Sequence, residues 1–158
     1  MNKKFIIITL LLGAITVLMV GWSVSRGKMF DFNESELAKK MEGAPFQVKV
    51  PTKVPFEDME LYKHKYSSEE IEFTLFNADK EFLTVRAVKE EMEYPEEIKK
   101  KEMTIGSDGH GQYIPDYAGN RIISWQNEDL FYELAYSYKF SPGEVSRGQL
   151  MKMAESFR

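Results

Sequence analysis

Residues 5–24, from Phe5 to Val24, carry no charged side chain. A helix through those 20 residues is about 30 Å long, the thickness of a bilayer's hydrocarbon layer. Lys3 and Lys4 precede the run, and Trp22 stands near its end, where an interfacial aromatic is expected. The expected layout is a cytoplasmic stub at 1–4, a transmembrane anchor at 5–24 and an extracytoplasmic remainder. Arg26 and Lys28 dilute the charge bias, but Asp31 and Glu34 follow them. A cleaved secretory signal is the competing reading, with Gly21, Ser23 and Ser25 as small residues. However, no Ala-x-Ala occurs and the run exceeds the roughly 7–15 residues of a signal core. In either case the working part lies outside the cytoplasm, membrane-bound or, if cleaved, secreted.

Composition narrows the function classes. The chain has no cysteine, which removes disulfides, thiolate metal sites, a cysteine nucleophile and a lipoprotein acyl anchor. With 43% hydrophobic and 29% charged residues, a packed core is feasible and wholesale disorder is not expected. The net charge is −4, and beyond Lys3 and Lys4 there are 19 basic against 25 acidic residues. That balance argues against nucleic acid as the partner and against a protein built mainly to bind anionic headgroups.

The exported part begins with a helix start. Asn33 fits an N-cap, Glu36 the capping-box acid at N3, and Phe32 can staple to Leu37. The helix is expected to stop at Gly43, before Pro45. Leu37 and Met41 form a narrow apolar stripe, so residues 25–44 read as a juxtamembrane linker with a short, lightly docked helix. Phe46, Val48 and Val50 alternate with polar residues between prolines, a first strand. Met59–Tyr66, Ile71–Phe76 and Phe82–Val88 follow as strands, the last two joined by the turn Asn77-Ala78-Asp79-Lys80. Pro95 is expected to open a short helix in the charged stretch Lys89–Lys101, where acids precede bases. Gly106 to Gly111 reads as a tight turn and Gln112–Ile114 as a short strand. Ile122–Trp125 and Leu130–Tyr138 form a last hairpin. Ser146 and Gln149 make a capping box, and Leu150, Met153, Ala154 and Phe157 share one helical face. The predicted fold is α+β: a curved antiparallel sheet of five to six strands packed by a C-terminal helix and preceded by the transmembrane helix.

Candidate chemistry is sparse. Ser107, Asp108 and His110 crowd one glycine loop, but a Ser/His/Asp catalyst draws its members from separate elements, and turn chemistry accounts for these residues. His64 and His110 are the two histidines, and without cysteine nothing in their spacing asks for a metal. Glu90–Glu97 lacks the loop pattern of a calcium site and reads as a solvated connection. Glu57 and Asp58 read as a solvated turn, and the Asn33-Glu34-Ser35 glycosylation triplet as chance. No cofactor is expected. Trp125 and Tyr132 are placed to stack across the last hairpin. Tyr132, Tyr136 and Tyr138 form a stripe of the kind that more often serves as core; on the face away from the C-terminal helix it would, with Trp125, be the candidate surface for a protein partner or lipid.

The order Pro45-Phe46-x-Val48-x-Val50-Pro51-x-x-Val54-Pro55, Ile123-Ser124-Trp125-Gln126, Leu130-x-Tyr132-x-Leu134 and Gln149-Leu150-x-x-Met153-Ala154-Glu155-Ser156 resembles the DUF4367 family. This is a domain of unknown function found largely in Gram-positive, spore-forming bacteria. The resemblance covers about 45–157 and implies an extracytoplasmic domain over 45–158 outside a membrane anchor. Some family members follow a cytoplasmic anti-sigma segment; here residues 1–4 are too short for one, so that activity is not expected. The family has no accepted catalytic residues to carry over. The expected function is a non-enzymatic, membrane-anchored binding module of the cell envelope with a protein partner. The alternative is lipid or lipoprotein binding on an apolar sheet face, by analogy of layout with lipoprotein carriers. A hydrolase using His110 or the glutamate-rich segment ranks third.

Overall fold

The computed structural model describes residues 27–107 and 109–158. The expected anchor at 5–24 lies outside them, as does Asp108. No helix among the described residues is long and apolar enough to cross a membrane.

Period-two alternation writes most of the fold. In β4 (Glu70–Phe76) and β5 (Phe82–Val88), Ile71, Phe73, Leu75, Leu83, Val85 and Ala87 are buried, and they meet in register as Ile71↔Ala87, Phe73↔Val85 and Leu75↔Leu83. Lys80, in the turn between them, takes a left-handed φ of 64°. β9 (Leu130–Tyr136) and β8 (Asn120–Asn127) continue the same face through Tyr132, Leu134, Ile123 and Trp125. With β3 (Glu60–Tyr66), β6 (Lys101–Ile105) and β7 (Gly109–Tyr117), they form one antiparallel sheet of seven strands in the order β3-β4-β5-β9-β8-β7-β6. The sheet exceeds the five or six strands expected because β6 is an additional edge strand. Its sequence Lys101-Glu102-Met103-Thr104-Ile105 buries Ile105 alone, and so gives a weak apolar pattern.

The Gly106–Gly111 stretch is not one turn. Gly109 and Gly111 belong to β7. A Cβ on Gly111 would lie 3.0 Å from Ile105 Cγ1 and 3.3 Å from Trp125 Cβ, so the missing side chain lets the indole pack against the strand.

One face of the sheet is covered. The helix α1 (Glu34–Lys40) is capped by Asn33, whose side chain accepts from the Glu36 N–H at 3.3 Å. Leu37 and Met41 are both buried in the main core, so this helix is packed into the domain rather than lightly docked. Before it, β1 (Phe30–Asp31) pairs with β2 (Lys53–Val54). The helix α2 (Arg147–Glu155) starts from the Ser146/Gln149 capping box and buries Leu150, Met153 and Ala154. Phe157, just beyond it, is also buried. The expected strand at Phe46–Val50 is irregular. Its end pairs with the C-terminus instead, Val50 and Arg158 exchanging backbone hydrogen bonds of 3.1 and 3.0 Å, and Pro51 and Pro55 limit further pairing.

The other face carries little cover. β5 and β6 run in the same direction with three strands between them, so the chain from 89 to 100 must return across the sheet. It does so as an irregular strap without the expected helix. Tyr94 and Ile98 pack on Ile114, Ile122 and Ala135 in a small second cluster.

Candidate functional site

The residues that face away from the helices form the candidate site. By register these are Glu70, Glu72, Thr74 and Phe76 on β4, Phe82, Thr84 and Arg86 on β5, and Phe131, Glu133 and Ala135 on β9. Three regions follow across this free face.

At the β3–β5 end lies an open aromatic cluster. Phe76 and Phe82 are cross-strand partners with ring centroids 4.9 Å apart. A register shift between Leu61 and Lys63 marks a bulge in β3, and Tyr62, within it, stacks toward both rings at 5.5 and 6.5 Å. Bulges re-aim side chains in this way. Phe140 stands beside them, and a hollow of about 340 Å³ lies among Tyr62, Phe82, Thr84, Ser137 and Phe140. Tyr62 is 62% and Phe140 76% exposed.

The middle is ionic. Arg86 Nε bonds Glu70 at 2.9 Å and approaches Glu72 at 3.9 Å, while its Nη1 lies 3.7 Å from Glu133. Burial pulls the Arg86 guanidinium down, but the Glu70 bond and the charges of Glu133, Glu70 and Glu72 outweigh it and raise its pKa. Tyr94 donates its hydroxyl to Glu133. Burial, then the neighbouring Glu133 charge, pushes the Tyr94 phenol far above its ordinary value. A buried carboxylate is tolerable here because it has both a guanidinium and a hydroxyl donor. The strap leaves a cavity of about 370 Å³ beside this cluster, lined by Arg86, Tyr94, Tyr117, Asn120 and Glu133.

At the start of the strap is a hollow of about 210 Å³ of mixed character, with Glu91, Glu102, His110, Gln112 and Ser124 on its polar side and Met92, Phe131, Trp125 and Tyr132 on its apolar side. Among the described residues no three His, Asp or Glu side chains are placed together to hold a metal ion. His64 sits exposed on edge strand β3, far along the sheet order from His110 on β7.

The tyrosine stripe belongs to the opposite face. Trp125, Tyr132 and Tyr136 are at most 4% exposed. Trp125 and Tyr132 do stack as cross-strand partners, 5.3 Å apart at 16°, and Phe157 stands edge-on to both, at 5.1 and 5.7 Å. The Tyr132 hydroxyl accepts from the Lys49 N–H at 2.9 Å, and Tyr136 donates to the Gly143 carbonyl. Tyr138 is half-buried, with Arg121 over its ring at 5.2 Å. The expectation of an exposed partner or lipid surface at Trp125, Tyr132 and Tyr136 is therefore corrected to core. The amphipathic α2 takes the more apolar face of β9, and the alternate set Phe131, Glu133 and Ala135 is left to the face that the strap crosses.

The alternation Phe82-Leu83-Thr84-Val85-Arg86-Ala87 already separates the two faces, and it could have pointed to Phe76 and Phe82 as the outward aromatics. Compared with known proteins, the chain matches no family model, no curated protein and no solved structure.

Proposed function

We propose that this chain is a non-enzymatic, membrane-anchored binding module of the cell envelope, held by residues 5–24, that engages a protein partner through the free sheet face. The observation that carries the reading is the aromatic cluster of Tyr62, Phe76, Phe82 and Phe140 around an open hollow. Contiguous exposed apolar patches rimmed by polar residues are typical contact surfaces. Lys63 and Lys65 on the neighbouring edge strand, with Arg86 and its carboxylates, supply that rim. Lipid carriage has less support, because the centre of the free face is ionic rather than apolar.

A photo-cross-linking residue at position 140 tests this in cells that make the full chain, with position 39 on α1 as the control. The expected result is a discrete protein adduct from 140 alone, lost when Tyr62 is changed to Asp in a folded protein. Equal adducts from both positions would refute it. A stoichiometric lipid mass on the native protein, with no protein adduct, would transfer the face to the lipid reading.

A further inference from the structure

The path of the chain into the domain fixes more than its attachment. The first described residue, Gly27, has its carbonyl bonded by Lys152 Nζ at 3.4 Å, and the Lys28 carbonyl accepts from Gln149 Nε2 at 3.1 Å. Gln149 is 5% exposed and its Oε1 is engaged by the capping box, so this bond joins the entering backbone to a fixed part of α2. Phe30 then enters β1, paired with Val54. The folded body therefore includes the chain from Gly27 onward as well as that from Pro45, and α1 packs into it rather than spacing it.

Two residues, Ser25 and Arg26, separate Gly27 from the end of the uncharged run at Val24. They span no more than about 11 Å fully extended. The headgroup layer of one leaflet is itself about 5–8 Å deep. If residues 5–24 cross the membrane, Gly27 and the helix side chains bonded beside it stand at most about 3–6 Å beyond that layer, within reach of long basic side chains.

Charge agrees with this placement. Lys28, Arg147 and Lys152 are exposed at this side of the domain. The nearby Glu155 carboxylate is turned to the Gly106 N–H at 3.3 Å. The free face instead carries Glu70, Glu72 and Glu133 against Arg86, and the strap across it holds Glu90, Glu91, Glu93, Glu96 and Glu97 against Lys89, Lys99 and Lys100, eight acids to four bases. The negative balance of the whole chain thus lies largely on the side that an anionic bilayer would repel.

We infer that the α2 side is the membrane-seated face of this domain, with Lys28, Arg147 and Lys152 against anionic phospholipid headgroups and the free sheet face directed away from the bilayer. This rests on the anchor proposed above and deepens it, because it sets which surface a partner can reach. Three basic side chains near an anionic surface favour the seated over the lifted arrangement by roughly a hundredfold.

The cysteine-free sequence makes the test direct. Gly148→Cys lies one helical turn from Lys152, where a Cβ meets only Ser146 Oγ at 3.9 Å, and Glu97→Cys lies on the strap. Each full-length variant is placed in nanodiscs of mixed phosphatidylglycerol and phosphatidylcholine, and its rate of reaction with a bulky, water-soluble maleimide is measured. The expected result is that Cys at 148 reacts about tenfold or more slowly than Cys at 97, and that the gap narrows in phosphatidylcholine-only discs and closes in detergent. Equal rates in the mixed discs, for a chain that stays with vesicles through a carbonate wash, overturn the orientation and leave the anchor standing. Release by carbonate overturns both.

Discussion

Phe157→Ala is the sharpest test of how the two faces are assigned. Phe157 is 4% exposed and stands edge-on to Trp125 and Tyr132 at 5.1 and 5.7 Å. Truncating a buried phenylalanine costs about 3–5 kcal/mol, transfer and cavity together. The backbone contribution survives, because the Pro51↔Phe157 bridge and the Val50–Arg158 hydrogen bonds involve no side chain at 157. A loss near 4 kcal/mol is a large part of the ~5–15 kcal/mol that holds a domain folded. It shifts a urea midpoint by about 2 M at a slope near 2 kcal/mol/M. Phe157→Leu keeps most of the volume and gives up the edge-to-face geometry, so about 1–1.5 kcal/mol is expected. The assay is equilibrium unfolding of the full chain in mild detergent, in a Trp22→Phe background so that Trp125 alone reports. If Phe157→Ala costs no more than about 0.5 kcal/mol, a surface value, and leaves Trp125 emission unchanged, α2 does not cover the tyrosine stripe and the face assignment fails.

Three further perturbations probe the free face and the buried phenols. Tyr94→Phe takes a hydroxyl donor from Glu133 and should cost about 1–3 kcal/mol, with faster tryptic cleavage at Lys99–Lys101 as the strap loosens; unchanged cleavage would mean the strap is held elsewhere. Arg86→Met leaves Glu70, Glu72 and Glu133 facing one another, for a loss of about 1–3 kcal/mol at neutral pH. A urea midpoint equal to that of the unsubstituted protein would refute the ionic account. Burial raises the phenols of Tyr94, Tyr132 and Tyr136 above their unfolded value, so the stability they lend is complete below about pH 10 and lost as pH rises past it. Urea midpoints should fall steeply above that pH, and Tyr94→Phe should make the fall shallower.

Where side chains alternate cleanly the sequence is readable, and where cover decides it is not. Ile71, Phe73 and Leu75 against Leu83, Val85 and Ala87 announce two paired strands, and the Ser146/Gln149 box announces α2 to the residue. The N-cap at Asn33 is equally visible. β6 is hidden because an edge strand with one buried residue needs little apolar sequence. The stretch after Pro95 reads as a short helix from Pro95 and local charge order, yet residues 89–100 must cross three strands and return to the starting end of β6, more than so short a chain can span with part of it helical. Topology overrode propensity there. The tyrosine stripe was ambiguous for a different reason: period-two spacing says which residues share a face but not which face a distant helix will cover. That choice is made by Leu150, Met153 and Phe157, and it turns on comparing β9's two faces, one with Tyr132, Leu134 and Tyr136, the other with Phe131, Glu133 and Ala135.

The supply of covering elements explains where the free face stays open. α1, the β1–β2 pair and α2 all pack on one side, and the strap alone crosses the other, reaching Ala135, Ile122 and Ile114. Among the described residues no element is left to cover this face of β3, β4 and β5, and there the sequence places Tyr62, Phe76, Phe82 and Phe140 beside Lys63 and Lys65, the charged side chains that guard the sheet's open edge. A core residue and a contact residue make opposite demands on experiment. Phe140, 76% exposed, buries little area in the free protein, so Phe140→Ser should change stability by no more than about 0.5 kcal/mol. The same change should abolish an interaction that seats an apolar side chain in the 340 Å³ hollow, because truncating an aromatic anchor at the centre of an interface costs about 2 kcal/mol or more. The measurement pairs urea unfolding with recovery of the cross-linked partner, the cross-linker now carried at Tyr62. A variant that unfolds more easily would make Phe140 an unrecognised part of the core; one that keeps both stability and partner would remove the aromatic cluster from the contact surface.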